Sequence, residues 1–198
     1  MQIESLSGLI LAGGQGRRMG GRDKGLEPFA GRSLIEHACR PLQGRVRELL
    51  INANRHLEAY RRYGDRVIED REGGYQGPLM GIWSGLCATD DEWLVIVPCD
   101  SPDLPDDLVD RLWTGKGEHD IAVAHDGDRA HPVVAIIRVA LAEDLEAALV
   151  AGERKIDRWY DRHSWCHVDF SDCPSAFANL NSDDDKAYLE ARWASQAP

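Results

Sequence analysis

Long hydrophobic runs are missing from this chain of 198 residues. The longest, around Leu94–Val97 and Val133–Ile137, fall far short of the roughly 20 apolar residues that a membrane-spanning helix needs. No cationic stretch precedes an apolar segment at the N-terminus, where the first basic residue is Arg17. Neither a secretory signal nor a transit peptide is therefore expected, and the expected compartment is the cytoplasm. Paired cysteines are missing too: the five present (Cys39, Cys87, Cys99, Cys166 and Cys173) are odd in number, scattered and never spaced C-x-x-C. That pattern argues against a disulfide framework and against a structural zinc site. Positive charge is scarce, since 23 basic against 34 acidic side chains leave a formal net charge of −11. Such a surface disfavours nonspecific binding along nucleic acid, so any anionic ligand must be held by a local basic cluster.

What is present is enough for one domain with one core. At 43% hydrophobic and 29% charged residues, the chain has the composition of a globular protein, and no repeat, linker or low-complexity tract divides residues 1–198. Apolar runs and breakers alternate regularly. Gly8–Ala12 reads as a buried strand that stops at a glycine pair. Ser33 with Glu36 three residues later opens a helix over Ser33–Leu42 that should end near Gly44. Arg47–Asn54 and Arg66–Glu69 read as strands around a helix at His56–Tyr63, and Pro78 introduces a helix over Leu79–Ala88. Trp93–Val97 is the clearest buried strand. Beyond it come a helix at Pro105–Trp113, strands at Ile121–Ala124 and Pro132–Ile137, and helices at Ala140–Ala151 and Asp184–Ser195. This alternation predicts an α/β fold: a mostly parallel sheet with helices on both faces, whose ligands gather at the carboxyl ends of the strands.

The strongest chemical signal follows the first strand. Between Leu11 and Lys24 the chain carries five glycines and four cations, including Gly13, Gly14, Arg17, Arg18 and Lys24. Glycines let a backbone approach a nucleotide closely, and the cations can neutralise a triphosphate; the alternative is a surface turn with solvated arginines. Neither of two well-known loops fits. Lys24 is followed by glycine, not the Ser or Thr of a P-loop, and the spacing G-x-G-x-x-G fails at Met19.

The second signal is Asp100, in Pro98-Cys99-Asp100-Ser101-Pro102 at the end of the most apolar strand. A carboxylate there can hold Mg²⁺, which prefers oxygen ligands shared with substrate phosphates, or it can merely cap the next helix. Asn52 and Asp70 also end predicted strands and can bond a base or ribose, or else their own turns. Gly77 sits in a second glycine-rich turn at a helix start, suited to an anion or a base contact. His131 lies in a polar, hairpin-like connection and can contact a second substrate or remain a turn histidine. Arg154 and Lys155 can meet a second anion, or only complement a helix dipole. Asn179 and Asn181 share one side of an extended segment, where they complete a metal or phosphate site or cap the following helix. His163, Cys166 and His167 have no common metal spacing and read as surface and core packing.

The segments LAGGQGRRMGGRDKGL, INANR, VIED, GPLMG, PCDSP, AHP, GERK and NLN, in this order, resemble the molybdenum cofactor guanylyltransferase family over nearly the whole chain. The resemblance implies a Rossmann-like nucleotidyltransferase fold, Mg²⁺, and GTP and molybdenum-loaded molybdopterin as substrates. The implied reaction couples GMP to the molybdopterin phosphate and releases pyrophosphate. It also implies nucleotide contacts at Leu11, Ala12, Gly13, Lys24, Asn52 and Asp70, with the magnesium ligand at Asp100. This chain departs from the family at Ser101, where threonine is common, and at Ser182-Asp183, where Thr-Pro is usual. Because the cofactor is labile, transient contacts with insertion or delivery proteins and target molybdoenzymes are expected. Another cytidylyl- or sugar-phosphate nucleotidyltransferase, a non-catalytic nucleotide- or cofactor-binding module, and a GTPase are the alternative readings.

Overall fold

The computed structural model describes residues 2–13, 23–73 and 77–196, without the side chains of residues 183 and 194–196. Its centre is β1 (Leu6–Leu11), flanked by β4 (Leu49–Asn52) and β6 (Trp93–Pro98), within a seven-stranded sheet of order β5-β4-β1-β6-β8-β7-β9. Here β5 is Arg66–Ile68, β7 Ile121–His125, β8 Ala130–Arg138 and β9 Trp165–Asp169. Only β8 runs against the rest, pairing antiparallel with both β6 and β7. A separate ribbon pairs β2 (Pro28–Phe29) with β3 (Arg32–Ser33).

Buried side chains divide between the faces of the sheet because alternate strand residues point to opposite sides. On one side Leu6, Ile10, Ile51, Val95 and Val97 pack with residues of α1 (Leu34–Cys39) and α4 (Leu108–Gly115). On the other, Leu9, Leu50, Leu94 and Ile96 meet α3 (Pro78–Leu86), α5 (Ala142–Val150) and α6 (Ile156–Tyr160). The remaining α-helices among the described residues are α2 (Leu57–Tyr60) and α7 (Asp183–Gln196). Leu189 of α7 joins Phe29, Leu34 and Leu180 in a third, smaller cluster that ties the C-terminal helix to the start of α1.

Most expected elements are present, with shifted ends. The Ser33–Glu36 capping box forms, the Glu36 carboxylate accepting the Ser33 N–H at 2.8 Å. The helix stops at Cys39, not near Gly44, because Pro41 has no N–H to continue the ladder, although Arg40 still holds helical backbone at φ −53° and ψ −53°. The strand expected over Arg47–Asn54 is paired only over Leu49–Asn52. The short α6 and the strand β9 were not expected, and Cys166 and His167 lie on β9, paired parallel to β7.

Register and topology together position the site. Leu11 pairs with Asn52 on one side and Pro98 on the other, and Asn52 pairs with Ile68. Four parallel strands therefore end level. The chain runs from β1 outward to β4 and β5, then crosses back to β6, so the strand order reverses between β1 and β6. Such a switch point leaves a crevice at the strand ends.

Candidate active site

Residues from the ends of β1, β4, β5 and β6 meet along this line. Leu11 and Ala12 finish β1 by backbone bonds, the Ala12 N–H donating to the Asn52 carbonyl at 2.8 Å and the Cys99 N–H to the Leu11 carbonyl at 3.2 Å. Asn52, 2% exposed, fills the space beside them. A Cβ on Gly13 would lie 2.9 Å from Asn52 Oδ1, and one on Gly81 only 2.6 Å away. Both glycines are thus required by the same carboxamide. Gly14, Arg17 and Arg18 lie outside the described residues.

At the end of β6, Lys24 Nζ donates to Asp100 Oδ2 at 2.7 Å and to Asn181 Oδ1 at 2.8 Å. This answers the capping alternative for Asp100: its carboxylate faces the crevice, and the residue that flanks α4 is Asp107. The C-terminal asparagines are brought in by short bonds, the Leu180 N–H donating to the Asp100 carbonyl at 2.8 Å and Ser101 Oγ to Asn179 Oδ1 at 2.8 Å. Ser101 retains the hydroxyl that threonine would supply. Asp185 accepts the Asn181 N–H at 3.0 Å, and its own N–H donates to Ser182 Oγ at 3.1 Å, so a helix start survives without the usual Thr-Pro.

Lys24 is held from behind by a group that sequence reasoning missed. Its neighbour Asp23 accepts bonds from Tyr60 Oη and, at 2.9 Å, pairs with His56 Nδ1. A Cβ on Gly25 would collide with the same Tyr60 hydroxyl. Burial, followed by the bond to Asp23, pushes the Tyr60 hydroxyl far above its ordinary range, so it remains a donor. The available signal was an acid wedged between two cations in the sequence Arg22-Asp23-Lys24.

Beyond β4 and β5, Asp70 accepts Asn52 Nδ2 at 3.0 Å and Asn54 Nδ2 at 2.8 Å, one on each carboxylate oxygen. Asn54 was also missed. It lies two residues after Asn52 in a nearly extended segment, and such residues point to the same face.

The other candidates fall into two groups. His131 is 9% exposed, stacked on Phe177 at 4.6 Å, and its Nε2 lies 2.7 Å from Asp126 Oδ2. Burial opposes ionisation of Asp126, but the Arg129 N–H, the His131 imidazole and the Asp128 N–H outweigh it and hold the carboxyl well below the usual range. Gly77, at φ +79°, lies against the Arg154 carbonyl, so the two loops that these residues mark are neighbours. The Arg154 guanidinium itself donates to the Leu149 carbonyl at 2.9 Å, tying off the end of α5, and the Lys155 N–H donates to Glu153 Oε1 at 2.8 Å.

No group of three or more His, Cys, Asp and Glu side chains among the described residues could hold a metal by itself. Magnesium needs less, often one or two carboxylates with the rest of its shell from water and substrate. The Lys24 ammonium tests the fit: Asp100 Oδ2 and Asn181 Oδ1 both approach one cation, one oxygen charged and one neutral. That donor set suits a hard cation.

Among solved structures, the fold matches that of a nucleotidyl transferase from Methanothermobacter thermautotroptrophicus, with 19% identity, a TM-score of 0.76, and 98% of this chain and 99% of that one covered. It also matches molybdopterin-guanine dinucleotide biosynthesis protein A from Archaeoglobus fulgidus, with 23% identity, a TM-score of 0.77, and 96% and 100% covered. The fold is therefore the α/β fold that these nucleotidyltransferase structures share. Within it, the chain belongs to the family of the MobA-like NTP transferase domain, whose model matches residues 8–167. A relative from Shewanella pealeana named molybdenum cofactor guanylyltransferase is 47% identical over 183 residues, covering 91% of this chain and 92% of its own.

Proposed function

We propose that this protein is a guanylyltransferase that joins GMP, taken from GTP, to the phosphate of molybdenum-loaded molybdopterin, releasing pyrophosphate and forming the guanine dinucleotide cofactor. The observation that carries the reading is the 47% identity to a named molybdenum cofactor guanylyltransferase over 91% of the chain. The Lys24–Asp100–Asn181 cluster, at the end of β6 next to β1, is the chemistry such a reaction needs.

In this reading residues 1–198 act as a single nucleotidyltransferase domain. Gly13 and Gly14, with Leu11 and Ala12, receive the nucleotide, and Gly77 borders it. Arg17, Arg18 and Lys24 offset the charge that develops on departing pyrophosphate. Asp100 and the Asn181 carboxamide oxygen would hold Mg²⁺. Bound there, Mg²⁺ supplies positive charge to phosphate oxygens as a Lewis acid. The molybdopterin phosphate attacks the α-phosphorus directly; it is already ionised near neutral pH, so no residue need serve as general base. The protein's own contribution is to hold the two reactants in line. His131, Arg154, Lys155 and Asn179 form the second-substrate side.

The net charge of −11 favours small-molecule substrates over nucleic acid, and no helix among the described residues is long and apolar enough to cross a membrane. A cytoplasmic enzyme that hands its labile product directly to insertion proteins or target molybdoenzymes fits that chemistry. The reading is tested by measuring pyrophosphate release with Mg²⁺, molybdenum-loaded molybdopterin and either GTP or CTP. Release with GTP alone is expected; equal release with CTP contradicts a guanylyl donor.

A further inference from the structure

Asp70 is the acidic residue of the site farthest from Asp100 along the sheet. It follows β5, whereas Asp100 follows β6, and β4 and β1 lie between. Three strand spacings at about 4.8 Å each separate the two positions by roughly 14 Å. With the reacting phosphate at Asp100, a nucleotide laid across β1 and β4 brings its base toward Asp70. The Asp100 carboxylate is paired with the Lys24 ammonium, whereas Asp70 is bonded by the neutral carboxamides of Asn52 and Asn54, so Asp70 repels a triphosphate tail more and the opposite orientation is disfavoured. Guanine presents two adjacent donors, N1–H and the N2 amino group, and an ionised carboxylate offers acceptors only, with about four lone-pair sites.

Asp70 can match that edge only if its plane is fixed. One bond, from Asn52 Nδ2 to Oδ1 at 3.0 Å, leaves the carboxylate free to pivot. Asn54 removes the pivot by a reciprocal pair: its Nδ2 donates to Asp70 Oδ2 at 2.8 Å and its Oδ1 accepts the Asp70 backbone N–H at 2.9 Å. A carboxamide has the donor and the acceptor this ring requires; a carboxylate or an aliphatic side chain does not. A Cβ on Gly13 would lie 3.1 Å from Asn54 Nδ2, so Asn54 also borders the nucleotide loop.

We infer that Asn54 is a positioning residue for base selection, locking Asp70 so that its free lone pairs accept the two donors of guanine. The inference rests on the reading of Asp70 as a nucleotide contact. Inosine triphosphate, which lacks the N2 amino group, is the probe. Equilibrium binding of GTP and inosine triphosphate with Mg²⁺, by calorimetry, is compared for the unaltered protein, Asn54→Ala, Asn54→Asp and Asp70→Ala. The unaltered protein should prefer GTP by about 10-fold or more, as expected for a bidentate base contact. Both Asn54 variants should lose most of that preference, Asn54→Ala through weaker GTP binding with inosine triphosphate changed little. A merely structural role would weaken both nucleotides in parallel and leave the ratio intact, which overturns the inference. If Asp70→Ala abolishes the preference while both Asn54 variants keep it, positioning by Asn54 is refuted and base reading by Asp70 stands. If Asp70→Ala keeps the preference, the reading of Asp70 falls and the inference falls with it.

Discussion

Lys24 and Asp100, 76 residues apart in the chain, meet at 2.7 Å where β6 ends. The pair is partly exposed, 22% and 19% for the two side chains, so its contribution to stability is small, about 1 kcal/mol or less. Asp100→Asn keeps the shape and removes the charge. Guanylyl transfer should fall by about 100-fold or more, while the melting temperature should drop by no more than about 2–4 °C. Retained turnover would reduce Asp100 to a partner for Lys24.

Lys24→Ala removes the ammonium and leaves the Asp100 carboxylate facing the crevice without it. GTP binding should weaken by about 10-fold or more, because a point positive charge beside the triphosphate is lost. Titration of the variant with GTP checks this. Unchanged affinity would remove Lys24 from the nucleotide site.

Gly81→Ala places a methyl group 2.6 Å from Asn52 Oδ1 and 3.0 Å from Leu11 Cδ2. Asn52 cannot yield easily, since it is buried and bonded to Asp70. The variant should lose about 1–3 kcal/mol by overpacking and bind GTP more weakly, seen in thermal melts and in KM. A variant as stable and active as the parent would mean that Asn52 has another place to go.

Asp126 supplies a pH test. Its carboxyl titrates well below the ordinary range in the folded protein, so the folded state binds fewer protons than the unfolded chain in acid. Its stabilisation is fully present above the unfolded value of about 4 and is lost as pH falls through the lower folded value. The stability gap between the parent and Asp126→Asn should be greater at about pH 5 than at pH 3, closing as the pH falls below about 4. A gap that does not change down to pH 3 would contradict the assignment. Denaturant melts across this range measure it.

The strands that carry the site were legible because burial on both faces leaves an unbroken apolar signature, as in β6, whose six residues are all buried. The edge strand β9 was not: Trp165-Cys166-His167-Val168-Asp169 buries only Val168 and mixes aromatic, polar and charged residues. The helix α6 has five residues, too few to show a helical period. Within the site, Gly13, Asn52, Asp70 and Asp100 could be singled out because each follows a readable strand. Their partners could not, since the bond from Lys24 to Asn181 spans 157 residues and depends on where α7 docks. The Asp23–Tyr60–His56 anchor was hidden for the same reason: its members look like ordinary surface residues until the loop and α2 are folded together.

The central claim is a guanylyl transfer onto a phosphate, and the identity of the product tests it most directly. The protein is incubated with Mg²⁺, GTP and molybdenum-loaded molybdopterin, and the products are resolved by mass. The expected result is the guanine dinucleotide form of the cofactor, with one pyrophosphate released for each molecule formed. Recovery of unmodified molybdopterin with GDP and inorganic phosphate, or with GTP intact, would contradict it.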